Sequence, residues 1–239
     1  MRFAGAILLL LGTSAAAQWP GDQEIPKVAI PKIPAHSSTV SGFVPKGWLL
    51  EAKAVGDLNG DKLPDVALVL HMDDPANRIH PSYDQTQTYD TNPRMIVIAF
   101  AGNEGGGFRL AASNYTLIPR LENPNQDEPF DSIKIANGAL KVKMVLFLSA
   151  GGWMMGDTTL TFRWIDDGFR MIGFDRDVVM RNSGETEKTS INYLTGRKIV
   201  TTGSIDGRAD QPKTTKLPKK PLLRMDQVVD GLYFEPDEH

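Results

Sequence analysis

The sequence predicts a mainly β protein built from antiparallel meanders, and three observations lead to that prediction. Apolar residues alternate or run continuously over strand lengths, short turn signals separate these runs, and helical periodicity is almost confined to one C-terminal stretch. The 239 residues are 41% hydrophobic and 23% charged, which suits one domain with its own core. Cysteine is absent, which excludes a disulfide scaffold, thiolate metal ligation and a cysteine nucleophile.

The first 44 residues are predicted to precede the folded domain. Residues 1–17 combine Arg2, a short apolar stretch and three alanines, which is typical of a secretory signal peptide. A retained anchor helix is the alternative, but the apolar stretch is too short to span a bilayer. Residues 18–44 are rich in proline and predict an extended leader that lies along a surface or is free. We therefore expect an exported protein, periplasmic or extracellular, with no membrane span.

Residues 45–239 are predicted to form a single β-rich domain. The first four strands are expected at residues 48–55, 65–70, 95–100 and 108–113. The run at residues 65–70 is almost wholly apolar, so we expect both of its faces to be covered.

Three hairpins are predicted farther along the chain. Their turns are expected at Asn137-Gly138, Asp167-Gly168 and Thr195-Gly196, and their strands at residues 133–136 and 140–148, 159–165 and 169–174, and 191–194 and 198–202. The segments MIVIAFAGNEGGGFRLAAS and TLTFRWIDDGFRMIGF share one layout, which indicates two four-stranded units unless it is a likeness common to any two hairpins. Helical spacing after Pro221 predicts one short C-terminal helix over residues 222–232.

The segment between the first two predicted strands has the oxygen spacing of a cation-binding loop. Oxygen donors fall at alternating positions, with a backbone carbonyl as the fourth: Asp57, Asn59, Asp61, Leu63 and Asp65. Calcium takes roughly six to eight oxygen ligands, and a tight loop of this kind can wrap one ion. The sequence therefore predicts a structural calcium site. The alternative is an Asp/Asn/Gly turn capped by its own side chains.

This loop is not an EF-hand, because Lys62 and Leu68 stand where that motif has glycine and glutamate. The segments AVGDLNGDKLPDVALVL and RMIVIAFAGNEGGGF resemble the FG-GAP/VCBS repeat of integrin-type β-propellers, over about residues 48–113. Lys62 differs from the glycine common there, and an insertion at residues 71–93 separates the two halves. The resemblance implies propeller-blade meanders with a calcium loop between the first two strands. Two units cannot close a ring, so we expect an incomplete propeller or packed sheets.

The segments FVPKGW, GDLNGD and SINYLTG also resemble a group of exported bacterial proteins of unknown function. This second resemblance implies no activity.

A second metal site is conceivable in the insertion. Two histidines and two aspartates fall within ten residues there: His71, Asp73, Asp74 and His80. Such side chains can hold a transition metal, although a polar segment with two prolines is more typical of a solvated loop.

Residues 151–156 place a large aromatic and two methionines between glycines. The three side chains, Trp153, Met154 and Met155, are predicted to form an exposed recognition patch, or else to fold back and cap the sheet. Residues 208–224 carry a local net charge of +5, which is typical of a solvated loop or of a contact with an anionic surface or partner. Aromatic residues are not interleaved with these charges, so nucleic-acid binding is not expected.

No common catalytic motif occurs, whether nucleophile elbow, zinc-protease helix, phosphate loop or dinucleotide fingerprint. We therefore expect an exported, non-enzymatic, calcium-binding β module that recognises a protein or cell-envelope component. Two alternatives stay open. One is a hydrolase of an envelope polymer, whose two carboxylates only the fold would bring together. The other is an immunity-type protein that blocks a secreted toxin.

Overall fold

The computed structural model describes residues 24–81, 84–103, 106–208 and 210–236, so the predicted signal peptide lies outside the described residues. The mainly β prediction is confirmed, because strands dominate and all pairs between them are antiparallel. The described residues contain 3-10 turns at Val40–Phe43, Pro75–Asn77 and Met225–Gln227 but no α-helix. No helix in this part of the chain could cross a membrane.

The strands form a five-stranded sheet, a seven-stranded sheet and one small hairpin. The strands of the first sheet and the small hairpin are β1 (His36–Ser37), β2 (Trp48–Gly56), β3 (Asp65–Met72), β4 (Arg78–Ile79), β5 (Tyr89–Asp90), β6 (Arg94–Ala101) and β7 (Phe108–Asn114). The first sheet has the order β1-β7-β6-β3-β2, and β4 pairs with β5 inside the insertion. The four predicted strands of this region are thus confirmed, each extended by one or two residues.

The second sheet follows the chain strand by strand. Its members are β8 (Phe130–Ala136), β9 (Ala139–Leu146), β10 (Met154–Ile165), β11 (Gly168–Met180), β12 (Glu185–Asn192), β13 (Arg197–Ser204) and β14 (Lys213–Lys216). The prediction of a second four-stranded unit is therefore wrong. The sheet continues through segments that do not alternate apolar and polar residues, such as residues 175–180 and the wholly polar 185–190, so no apolar pattern marks them as strands.

All three predicted hairpins occur, but two of their turns use residues other than those predicted. Asn137 and Gly138 have φ values of 52° and 69°, as a two-residue turn with both residues left-handed requires. The next turn uses Asp166 and Asp167, with φ values of 47° and 56°, so it lies one residue earlier than predicted. Aspartate tolerates this conformation better than most residues. The third turn spans residues 193–196, which removes residues 193 and 194 from the predicted strand.

Strands β3 and β6 are covered on both faces, as predicted for β3. Side chains of one parity, such as Val69 and Ile98, face the second sheet in the larger core cluster. Those of the other parity, such as Leu68 and Val97, form a second cluster with Ile33 from the leader. Continuous apolar runs are expected for strands buried on both sides.

The leader covers the outer face of the first sheet. Ile33 and Phe43 are buried there, and β1 pairs with β7 at the sheet edge. The packed part of the chain therefore begins well before the predicted boundary at residue 45. Proline density predicts an extended chain but says little about what that chain packs against.

The predicted C-terminal helix is wrong. Residues 222–232 form one 3-10 turn and otherwise an extended strap that hydrogen-bonds to residues 114–117 at the end of β7 and to β11. The backbone N–H of Gly231 donates to the carbonyl of Leu117 at 2.7 Å, and Asp230 takes a left-handed φ of 52°. Met225 and Val228 are buried through the strap, so their spacing reflects burial rather than a helical face.

Candidate functional site

Residues 57–65, which we call the 57–65 loop, connect β2 to β3 in a turn that is capped by its own side chains. The two carboxylate oxygens of Asp57 accept hydrogen bonds from the backbone N–H groups of Gly60 at 2.7 Å and Lys62 at 2.9 Å. Asn59 Oδ1 accepts from the N–H of Asp61 at 3.0 Å. Polar side chains therefore serve backbone groups that the tight bend leaves without other partners.

The next donors in the loop are committed in the same way. Asp61 Oδ1 accepts from the N–H of Leu63 at 2.7 Å, and Asp61 Oδ2 accepts from the Asn59 amide at 2.8 Å. The carbonyl of Leu63, predicted as a backbone ligand, accepts from the N–H of Asp65 at 3.1 Å.

Asp65 anchors the loop to the first sheet and is fully buried, with 0% exposure. Its Oδ2 accepts from the N–H of Leu58 at 2.8 Å and its Oδ1 from the N–H of Ala101 at 2.9 Å. Burial raises the pKa of Asp65, and the nearby charges of Asp61 and Asp57 act in the same direction, while the two N–H donors oppose them. The loop thus concentrates negative charge around one buried carboxyl group.

The donor set of this loop fits calcium in kind. Every predicted ligand is an oxygen, and a carboxylate oxygen that accepts one N–H retains a lone pair for a cation. Lys62 has a left-handed φ of 69°, a conformation that glycine adopts more readily than lysine. Within the described residues, however, no three histidine, cysteine, aspartate or glutamate side chains are placed to hold a metal. Calcium would have to draw the oxygens together.

The histidines of the insertion do not share a site. His80 Nδ1 lies 2.7 Å from the carbonyl oxygen of Gln87. Asp73 forms an ion pair with Arg78 at 2.5 Å, and Asp74 caps a 3-10 turn through the N–H of Ala76. These contacts are those of a structured loop.

His71 instead belongs to an ionic cluster that its sequence neighbours did not indicate. Arg94 is 3% exposed, and its guanidinium contacts Glu51 at 2.6 and 2.8 Å and Glu128 at 2.5 Å. His71 Nδ1 lies 3.5 Å from Arg94 Nη2 and 3.8 Å from Glu51. Burial raises the pKa of Glu128, and the positive charge of Arg94 opposes this increase.

Trp153 stands at the end of a braced loop, residues 147–153, which we call the Trp153 loop. Its side chain is 60% exposed. Arg181 holds the loop from below, since its guanidinium donates to the carbonyls of Leu148 and Gly152 and lies 4.6 Å from the ring centre of Phe147. The N–H of Arg181 also donates to the carbonyl of Trp153 at 2.9 Å.

The other two residues of the predicted patch lie in a strand and not in a loop. Met154 and Met155 open β10 and pair with Met180 and Val179 of β11. Met154 is half-buried and packs against the main core, while Met155 is half-buried on the alternate face of the strand. The predicted patch thus reduces to Trp153. Arg181 is the residue that sequence reasoning missed, because it brings its contacts from a distant turn.

An apolar cleft lies beside Met171 and Tyr193 at the second sheet. Its floor also includes Leu217 and Leu223, and its volume is about 110 Å³. Pockets for drug-sized ligands measure roughly 300–1,000 Å³. This cleft is therefore smaller than a pocket for a ligand of that size.

Comparisons with known proteins add no assignment, since no family model, curated protein or solved structure matches the chain. Function must therefore be inferred from the geometry above.

Proposed function

We propose that the protein is a non-enzymatic recognition module that acts outside the cytoplasm and binds a protein or envelope partner through Trp153. The observation that supports this most is the combination of an exposed indole and a rigid support. An indole exposed at 60% is held by a loop whose carbonyls bind the Arg181 guanidinium. Tryptophan and tyrosine dominate binding energy at protein interfaces, and a pre-ordered loop loses little entropy on binding.

Substitution of Trp153 tests this role. We expect Trp153→Ala to lose capture of a partner from envelope extract while its melting temperature stays close to that of the wild type, because little of the indole is buried. The control is Tyr115→Ala, since Tyr115 is similarly exposed at 54% but lies after β7. Equal capture by both variants would rule out the Trp153 surface. A decrease of about 3 kcal/mol in the free energy of unfolding of Trp153→Ala would instead indicate that the indole has a packing role.

We also propose that calcium stabilises the 57–65 loop. The support is the charge of Asp57 and Asp61 near the buried Asp65, which a cation would neutralise. In this proposal Asp57, Asn59, Asp61, Asp65 and the carbonyl of Leu63 hold the ion, and its role is structural.

Thermal unfolding in chelator and in millimolar calcium tests the site. An ion bound only by the folded state stabilises by about 2.7 kcal/mol at a hundredfold excess over its Kd. We expect a higher melting temperature with calcium and a smaller rise in Asp61→Ala. Leu58→Ala should lower stability in both conditions yet keep the calcium response, since Leu58 is buried and offers no side-chain oxygen. Superimposable wild-type curves would leave the loop as a self-capped turn.

A further inference from the structure

The strand β14 is a free edge of the second sheet with an unusual charge. It is the last strand of the order β14-β13-β12-β11-β10-β9-β8, and all four of its residues are exposed. Residues 193–224, which contain β13, β14, their connection and the segment after them, carry eight basic residues and two aspartates, a net charge of +6. An open strand edge offers unpaired backbone groups, and this one offers them in a strongly positive surrounding.

The register shows which backbone groups point outward. The N–H of Leu217 donates to the carbonyl of Gly196 at 2.8 Å, which makes these two residues a hydrogen-bonded pair just beyond β14. Pairs alternate along an antiparallel ladder, so Thr215 and Lys213 bond to β13, whereas Thr214 and Lys216 direct their N–H and C=O groups away from the sheet. The edge can therefore accept another strand.

A groove beside the edge has a matching character. It lies on the outer face of β12 to β14, has a volume of about 670 Å³, and its lining contains two cations, four hydroxyl groups and no carboxylate. Arg197 and Lys216 are its cations. Side chains of a strand added to β14 would project over this groove, where acidic side chains would find both cations.

We propose that the β14 edge binds an extended acidic peptide segment of the partner by strand addition. This inference rests on the proposed role in partner recognition, but it places a second contact on a surface separate from Trp153. Strand addition takes affinity from backbone hydrogen bonds and specificity from alternate side chains. A second copy of this chain is disfavoured, because two β14 edges would bring lysines next to lysines.

A blocked octapeptide of alternating glutamate and threonine serves as the probe, titrated into residues 18–239 by calorimetry at low ionic strength. We expect binding that weakens as salt is added. The same peptide with every backbone nitrogen methylated keeps its charge but loses its hydrogen-bond donors on both edges, and we expect it not to bind.

Charge reversal at the edge provides the second arm. Lys213→Glu with Lys216→Glu should weaken peptide binding by at least about tenfold, because like charges then face each other. The matched control is Lys134→Glu with Lys141→Glu, which changes net charge equally on exposed positions of β8 and β9. It should stay within about twofold of wild type.

Three results would overturn the inference: no binding of the glutamate–threonine peptide, equal binding of its methylated form, or equal weakening by both double variants. The outcome is separable from that of the Trp153 test. Trp153→Ala should bind the octapeptide normally. If this variant loses partner capture but keeps peptide binding, the loss is due to the Trp153 contact alone. If wild-type protein captures the partner but does not bind the peptide, the inference about the β14 edge fails and the proposed role of Trp153 stands.

Discussion

The surroundings of His71 favour its neutral form. Arginine only donates hydrogen bonds, so the 3.5 Å contact from Arg94 makes His71 Nδ1 the acceptor and places the ring proton on Nε2. That Nε2 atom is buried and has no hydrogen-bond partner among the described residues. Burial lowers the pKa of His71 below its ordinary value of 6.5, and the charge of Arg94 adds to this, while Glu51 and Asp90 oppose it.

Acid should therefore weaken the fold through His71. The folded state resists protonation that the unfolded chain accepts, so the contribution of a neutral His71 is present above pH 6.5 and declines as the pH falls below that value. We expect His71→Gln to lose less melting temperature than wild type between pH 7.5 and pH 5.

The difference between the two proteins is the quantity to measure, because burial also raises the pKa of Glu128 and Asp230, which favours the folded state in acid. Parallel pH profiles for wild type and His71→Gln would show that His71 does not titrate differently on folding.

Single residues also show where sequence reasoning ends. The side-chain oxygens of the 57–65 loop could be found from their spacing, since they act on a local bend. The cluster around Arg94 could not, because Glu51 and Glu128 come from segments 43 and 34 residues away. No short motif records a contact of that length.

Among the elements, β9 and β14 represent opposite positions in one sheet. Strand β9 lies between β8 and β10, and Val142 and Met144 are fully buried within it. Strand β14 has a neighbour on one side only. The same substitution should therefore have opposite consequences in the two strands.

Proline provides that comparison. Val142→Pro should abolish soluble folding, because it removes a ladder hydrogen bond in an interior strand and its ring clashes with the neighbouring backbone. Thr214→Pro should fold, since the N–H of Thr214 points away from β13. Soluble yield and circular dichroism of the two variants give the answer, and a well-folded Val142→Pro protein would place residue 142 outside the sheet interior.

Strands with an apolar face were predictable from the sequence, and strands without one were not. Alternation located β9, and a continuous run located β3. The strands β12 and β14 consist mainly of threonine, lysine, glutamate and serine, so their pairing is set by the preceding hairpins and not by burial. The spacing of apolar residues over Leu222–Leu232 led to a wrong prediction of a helix. The buried residues of an extended strap happen to have the same spacing as the buried face of a helix.

At the scale of the whole molecule, the leader is attached to the first sheet through the pairing of β1 with β7. Gly107 permits that contact, because it has a φ of 72° and a Cβ there would lie 2.4 Å from the carbonyl oxygen of Ser37. A side chain at this position would push β1 away from β7. The leader would then lose its attachment beside the buried Ile33.

Gly107→Ala should thus expose the leader to protease. We expect trypsin to cut after Lys32 in this variant far faster than in wild type, where the following residue, Ile33, is buried. The control is Gly151→Ala, which carries a similar φ of 81° but has open space around its Cβ. Rapid cleavage of the wild type after Lys32 would mean that the leader is not packed in solution.

The consecutive order of the seven-stranded sheet has a consequence for how quickly the protein forms. Each of its strands pairs with its neighbour in the chain, so the contacts are local and their loop-closure cost is small. The contact from Asn114 to the carbonyl of Met225 spans 111 residues and must wait for both sheets. The C-terminal strap should therefore dock last, after the hairpins of the second sheet have formed.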